Sequence, residues 1–338
     1  MSRRLAWKVL APTFFVLVAG AGGAAQAQSS PEALDWLRKI YQATQDLSYT
    51  GTFVYQQGDH SETSRITRLA DPRGNIEKLE VLDGVPREIL RTDDAVRCYL
   101  PNSQTVKVDR RPGRRSFPAV LRGEISDLAA NYTVMQGESR RIAGYECQAI
   151  VLTPKDNLRY GYRLWADAKT GMLLKALTFD DKGETVEQFT FTELTIGHVT
   201  RDKVKPWPTT RSWHVEDTDV KPANLEQQGW IIEASLPGFR KIVEVTTLHK
   251  SLPMEQVVYS DGLAAVSVFI EPVGQRDKPV QTGLANVGAI NIFTREVANH
   301  LITVVGEAPA TSVQRIAETV KYVRPVEPKQ SVSNPQSR

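Results

Sequence analysis

The sequence predicts a mainly β protein with helices, α+β in class: a large antiparallel sheet that must curl or close, with helices packed on one side, followed by a smaller α+β domain. Three observations predict it. From Leu47 to about Gly197, short runs alternate apolar and polar residues between turn-forming clusters such as Asp-Pro-Arg-Gly, Leu-Asp-Gly and Asp-Asp-Lys-Gly. Beyond Asn224 a second, shorter series of alternating runs begins, and it ends in a helical pattern. Between the two, residues 201–223 hold three prolines, mixed charge and little periodicity, the composition of a linker between domains. About ten strands in a single meander cannot stay flat, because twist accumulates from strand to strand, so the first sheet must curl and present a concave face.

The N-terminal stretch MSRRLAWKVLAPTFFVLVAGAGGAAQAQ carries Arg3, Arg4 and Lys8, then an apolar run to Val18, then small residues. That is the pattern of a secretory signal peptide over residues 1–27, cleaved after Ala27. The apolar run is too short, and too broken by Pro12 and the glycines after Ala19, to span a bilayer. A domain over 28–200 follows. In SSPEALDWLRKIYQATQ, Ser30 can cap a helix, Pro31 suits its first position, and Ala33, Trp36, Leu37 and Ile40 share one face. In LSYTGTFVYQQGDHS, Leu47, Tyr49, Gly51, Phe53 and Tyr55 alternate on one face ahead of turn chemistry, predicting a hairpin with an aromatic side. Pro118 to Ala130 spaces Leu121, Ile125 and Leu128 at helical intervals.

In the second domain, 224–324, GWIIEASLPGFRKIVEVTT predicts a hairpin across Pro237-Gly238, and EQVVYSDGLAAVSVFIEPV another across Ser260-Asp261-Gly262. Two strands near Ala289–Phe293 and Leu301–Val305 follow. Pro309 then starts a helix whose Val313, Ile316, Ala317 and Val320 share a face. Residues 325–338 are polar and proline-bearing, a disordered tail.

Charge and motif content narrow the function. The chain of 338 residues carries 42 Lys and Arg against 39 Asp and Glu. Three of the basic residues lie in the signal peptide, so the exported chain has 39 of each sign and no net charge, which argues against a nucleic-acid partner. No nucleophile elbow, phosphate loop, dinucleotide fingerprint or H-E-x-x-H helix occurs, and the five histidines are scattered. These absences leave no candidate catalytic residue, metal or cofactor, and a hydrolase is the distant alternative, one that clustered His, Asp and Ser side chains in a cleft would revive. Cys98 and Cys147 are expected to be free, buried thiols: two intervening strands would hold them about 14 Å apart, beyond the ~7 Å reach of a disulfide.

Three residue groups are candidates for contact with a ligand or partner. Arg110, Arg111, Arg114 and Arg115 surround a Pro-Gly turn in KVDRRPGRRSF. Converging guanidinium forks suit an anionic lipid head group, and a solvated loop is the alternative. Tyr49, Phe53, Tyr55 and Tyr99 are candidates for lining a cavity in the curled sheet, with ordinary core as the alternative. Trp207, Trp213 and Trp230, in and just after the linker, are candidates for an interdomain contact or for anchoring a partner.

Three stretches, GYRLWADAKTGMLLKALTFDDKGETVEQFTF (161–191), VYSDGLAAVSVFIEP (258–272) and LITVVGEAPATSVQRIAETVKYV (301–323), resemble the MucB/RseB family of periplasmic sigma-factor regulators. The likeness runs from about Glu32 to Val323. It implies a first domain similar to periplasmic lipoprotein carriers, a large unclosed antiparallel β-barrel with packed helices, joined to a smaller α+β domain, and with it a periplasmic location and no enzymatic activity. It also implies a partner, the periplasmic segment of a membrane-bound anti-sigma factor, shielded from regulated proteolysis until lipid or lipopolysaccharide releases it. The family has no short binding motif, so the residue candidates rest on the reasoning above. A periplasmic lipid or lipoprotein carrier is the alternative function, and the sequence leaves homo-oligomer formation open. If lipid and peptide favour different domain arrangements, the 201–223 linker is the expected hinge.

Overall fold

The computed structural model of the protein describes residues 29–110, 125–233, 236–249, 252–274 and 282–324. The expected signal peptide and cleavage site, Arg111, Arg114 and Arg115, and residues 325–338 lie outside the described residues. Helix α1 (Pro31–Asp46) forms as its sequence dictates: Ser30 Oγ accepts the Ala33 N–H, Pro31 opens the first turn, and Ala33, Leu37, Ile40 and Ala43 make the buried stripe.

The strands β1 (Tyr49–Gln57), β2 (His60–Leu69), β3 (Ile76–Val81), β4 (Glu88–Arg91), β5 (Val96–Leu100) and β6 (Thr105–Asp109) run as one antiparallel meander. After α2 (Ile125–Asn131) come β7 (Tyr132–Gln136), β8 (Arg140–Ile142), β9 (Tyr145–Pro154), β10 (Gly161–Asp167), β11 (Leu173–Phe179), β12 (Thr185–Ile196) and, further on, β13 (His214–Thr218). The sheet order is β13-β6-β5-β4-β3-β2-β1-β12-β11-β10-β9-β7, with β8 also paired to β9. The sheet is therefore unclosed, and it is not the single meander the sequence suggested. Two meanders are joined along β1 and β12, where Phe53 pairs with Phe191 and Tyr55 with Phe189. Gly51 lets this seam close: a Cβ there would lie 2.6 Å from Glu193 O and 2.8 Å from the Phe191 ring. Helices α1 and α2 pack against β7, and Leu37, Ile40 and Leu128 fill a core with Ile150, Leu152 and Leu164.

A second sheet is built from β14 (Val220–Pro222), β16 (Arg240–His249), β17 (Leu252–Ser260), β18 (Ala265–Pro272), β19 (Gly283–Val287), β20 (Ile290–Val297) and β21 (His300–Gly306), in the order β14-β16-β17-β18-β21-β20-β19. Helix α3 (Ala310–Thr319) covers it with Val313, Ile316 and Ala317. The expected hairpin across Pro237-Gly238 does not form. Instead β15 (Trp230–Ile231) pairs with β22 (Lys321–Tyr322). The Trp230 ring finds cover against His300 and Tyr322, at 5.0 and 4.9 Å between centroids, which draws this segment away from β16. No helix among the described residues is long and apolar enough to cross a membrane.

Candidate functional site: the junction of the two sheets

Arg159, in the loop between β9 and β10, reaches the turn between β17 and β18. Its side chain and that of Asp261 are both 0% exposed. Arg159 Nη1 donates to Asp261 Oδ2 at 2.6 Å, Nε and Nη2 donate to the two Asp156 oxygens at 3.0 Å each, and Nη2 also donates to Pro237 O at 2.6 Å. Tyr132 OH donates to Asp261 Oδ2 at 3.0 Å, while Asp261 Oδ1 accepts the Leu263 and Ala264 N–H groups at 2.9 Å each. The guanidinium lies over the Tyr132 and Phe239 rings, 5.6 and 5.3 Å from their centroids. Burial opposes the guanidinium charge, but hydrogen bonding to Asp156 and the Asp261 charge outweigh it and hold Arg159 above its ordinary pKa. Burial, with the Asp261 charge beside it, pushes the Tyr132 phenol well up, so that it stays a donor.

Neutral contacts extend the junction. Asn291 Nδ2 donates to Tyr160 OH at 3.0 Å, and Ser312 Oγ donates to Leu158 O at 2.7 Å. Leu158 packs against the second core, and Leu263 is buried in the first. The linker is also stitched down. β13 runs parallel to β6, and β14 pairs with β16. The segment expected to act as a hinge thus carries two strand pairings, and a buried ionic contact links the parts on either side of it.

The sequence candidates fall in different places. Tyr49 and Phe53 are buried in an aromatic cluster with Phe189 and Phe191. Tyr55 is half-buried and donates its OH to Glu187. Tyr99 does not join them. Register carries Thr52, Arg65, Glu80, Glu88 and Tyr99 along one face, opposite to Phe53. There Tyr99, Leu90, Val106 and Val108 form a separate cluster covered by Trp207 and Trp213. These two tryptophans therefore strap the outer face of the first sheet rather than fill an interdomain cleft, and Trp207 N–H donates to the buried Glu88 at 2.9 Å. Trp230 belongs to the second core. Arg110 is exposed and already engaged, with Asp217 at 3.0 Å and Asp94 at 3.6 Å.

Cys98 and Cys147 are free. Seven strands lie between theirs in the sheet order, where the sequence suggested two, and Cys98 is half-buried rather than buried. Beside β15 and β16 a cavity of about 290 Å³ is lined by Leu225, Trp230, Val257 and Tyr259, with Lys241 and Glu244 at its wall.

Comparison with known proteins decides the lineage. Family models described as the MucB/RseB N-terminal and C-terminal domains match residues 32–223 and 224–321. The chain belongs to the MucB/RseB family. "Sigma factor AlgU regulatory protein MucB" of Pseudomonas aeruginosa is 31% identical over 322 residues, covering 91% of this chain and 97% of that protein. "Sigma-E factor regulatory protein RseB" of Haemophilus influenzae is 27% identical, covering 88% and 93%. Among solved structures, MucB in complex with MucA(peri) matches with a TM-score of 0.66 and 26% identity, covering 86% of this chain and 98% of that one.

In this MucB/RseB chain the two family models meet at 223/224, between β14 and β15, and the buried ion pair joins one matched part to the other. Sequence reasoning missed Arg159, Tyr132 and Asp261. Asp261 reads as an ordinary hairpin-tip aspartate in Ser-Asp-Gly, and no local pattern links it to an arginine 102 residues away.

Proposed function

We propose that this protein acts in the periplasm as a negative regulator. It binds the periplasmic segment of a membrane-bound anti-sigma factor, shields that segment from regulated proteolysis, and gives it up when lipid or lipopolysaccharide is sensed. The observation that carries this reading is the match along almost the whole length of a MucB solved with MucA(peri). The lipid half draws support from the face of the first sheet that carries Tyr49 and Phe53 and packs against the helices. Leu79, Val81, Ile89 and Cys98 share that face and stay half-exposed, while Arg68, Arg87 and Arg91 lie along it, paired to Glu77 and Glu62. A lipid there would cover apolar surface and compete for those arginines. Head-group contact at Arg110, with Arg111, Arg114 and Arg115, remains part of the proposal, as does the division into domains at 28–200 and 224–324 around a 201–223 linker.

The pinned linker and the buried junction favour release by competition for a surface over release by swivelling. The test is reconstitution. The exported chain should retain the cognate anti-sigma segment on a column and slow its cleavage by the cognate site-1 protease, and lipopolysaccharide should reverse both. Failure to retain the segment sinks the shielding role; retention that lipopolysaccharide leaves unchanged sinks the sensing role alone.

A further inference from the structure

Among the described residues the two large sheets have four end strands, β13, β7, β14 and β19, and an edge strand presents unpaired backbone donors and acceptors that invite another strand. Three of the four are blunted. At β7, Ser30 N–H donates to Val134 O at 2.9 Å and Ser29 Oγ accepts the Val134 N–H at 3.0 Å, while neighbouring β8 is three residues long and exposes Arg140 and Arg141. β13 carries Glu216 and Asp217, ion-paired to Lys107 and Arg110 at 3.7 and 3.0 Å. β14 is three residues ending at Pro222, which has no N–H to offer.

β19 has none of these devices. Its sequence, Gly-Leu-Ala-Asn-Val, holds no charge and no proline; Leu284 is 54% and Val287 61% exposed; and no described strand lies on its outer side.

The hydrogen-bond phase of this edge follows from the turn. Gly288 and Ala289 alone separate β19 from β20, so Val287 and Ile290 form the closing hydrogen-bonded pair. Alternation then makes Asn286–Asn291 and Leu284–Phe293 the non-bonded pairs, whose β19 N–H and C=O groups point outward. The turn is held in place. Gly288 has φ +57, and a Cβ on it would lie 1.8 Å from Gln57 Cγ, so the turn presses on the end of β1 in the first sheet. Gln57 Nε2, buried there, has no hydrogen-bond partner among the described residues.

We propose that the open edge of β19 is a docking strand for an extended, largely apolar peptide segment, which pairs with the outward backbone groups of Leu284 and Asn286. A second copy of this chain is the weaker occupant. Five residues of edge pairing fall far short of the roughly 1,200 Å² that a stable protein interface buries, whereas an extended peptide gains main-chain hydrogen bonds without that area. Resting on the function proposed above, the occupant is a stretch of the anti-sigma factor's periplasmic segment.

Backbone amide exchange on the full exported chain tests this. Free protein should protect the Ala285 and Val287 amides and leave Leu284 and Asn286 fast; adding the cognate periplasmic segment should slow the latter pair at least about tenfold. Asn286→Pro removes only an outward N–H, so it should keep the wild-type melting profile and bind the segment about tenfold more weakly. A complex that forms while Leu284 and Asn286 stay fast, or that Asn286→Pro leaves intact, overturns the edge assignment and spares the shielding role. No complex at all overturns both. Protection that grows with protein concentration in the absence of segment makes a second copy the occupant and overturns the peptide assignment.

Discussion

Among the arginine–aspartate pairs that join distant parts of the described chain, two lie in very different surroundings. Arg159–Asp261 spans the junction of the two sheets at 2.6 Å with both side chains at 0% exposure. Arg110–Asp217 ties β13 to the end of β6 at 3.0 Å with the two side chains 48% and 47% exposed. The distances are similar. Water and salt screen the second pair, so it holds little more than the strand pairing already does. The first pair has given up its hydration and depends on Asp156, Tyr132, Pro237 O and two backbone N–H groups to replace it.

The largest expected effect comes from breaking the buried pair. Asp261→Ala leaves a buried guanidinium with one partner fewer and should cost about 3–5 kcal/mol, read by thermal or urea melting. Limited proteolysis should then cut near the linker first. Replacing both residues with apolar side chains should recover much of that loss; if Asp261→Ala melts like the parent, the contrast between the two pairs fails.

Glu88 comes next. It is buried, lies 3.8 Å from Lys78 and accepts the Trp207 N–H, and burial raises its carboxyl pKa. A carboxyl raised on folding contributes stability below its unfolded pKa and loses it as pH rises through the folded value. Wild type should therefore gain on Glu88→Gln as pH falls from neutral toward the ordinary glutamate range, since glutamine keeps an acceptor for Trp207 but does not titrate. Parallel melting curves across that range would remove Glu88 from the account of the strap. The smallest effect is at Arg110: Arg110→Ala should cost no more than about 1 kcal/mol, and raising the salt concentration should erase the difference.

Much of the fold was legible because its causes are local. Ser30 with Pro31, the alternation of Tyr49, Gly51 and Phe53, the Ser260-Asp261-Gly262 tip and the stripe Val313, Ile316, Ala317 each act within one turn or one hairpin, and each element stands where its pattern placed it. Pairing between elements was not legible. Trp230 left its expected hairpin for Tyr322, some 90 residues on, because a tryptophan ring gains more from cover than from a neighbouring strand. The candidate contact residues suffered for the same reason. Tyr99 and Tyr49 look alike in sequence, but parity counted across five strands puts them on opposite faces.

By itself the sequence determined the periodicities, the caps and turns, the near-balance of 42 basic against 39 acidic residues and the family likeness, all of which are set by neighbouring residues or by composition. Tertiary structure alone decided which strands meet, that residues of the 201–223 segment pair with both large sheets, that Arg159 and Asp261 share a dry junction, and that no described strand covers the outer side of β19. Those outcomes depend on burial and on contacts between residues a hundred positions apart, and no local spacing encodes them.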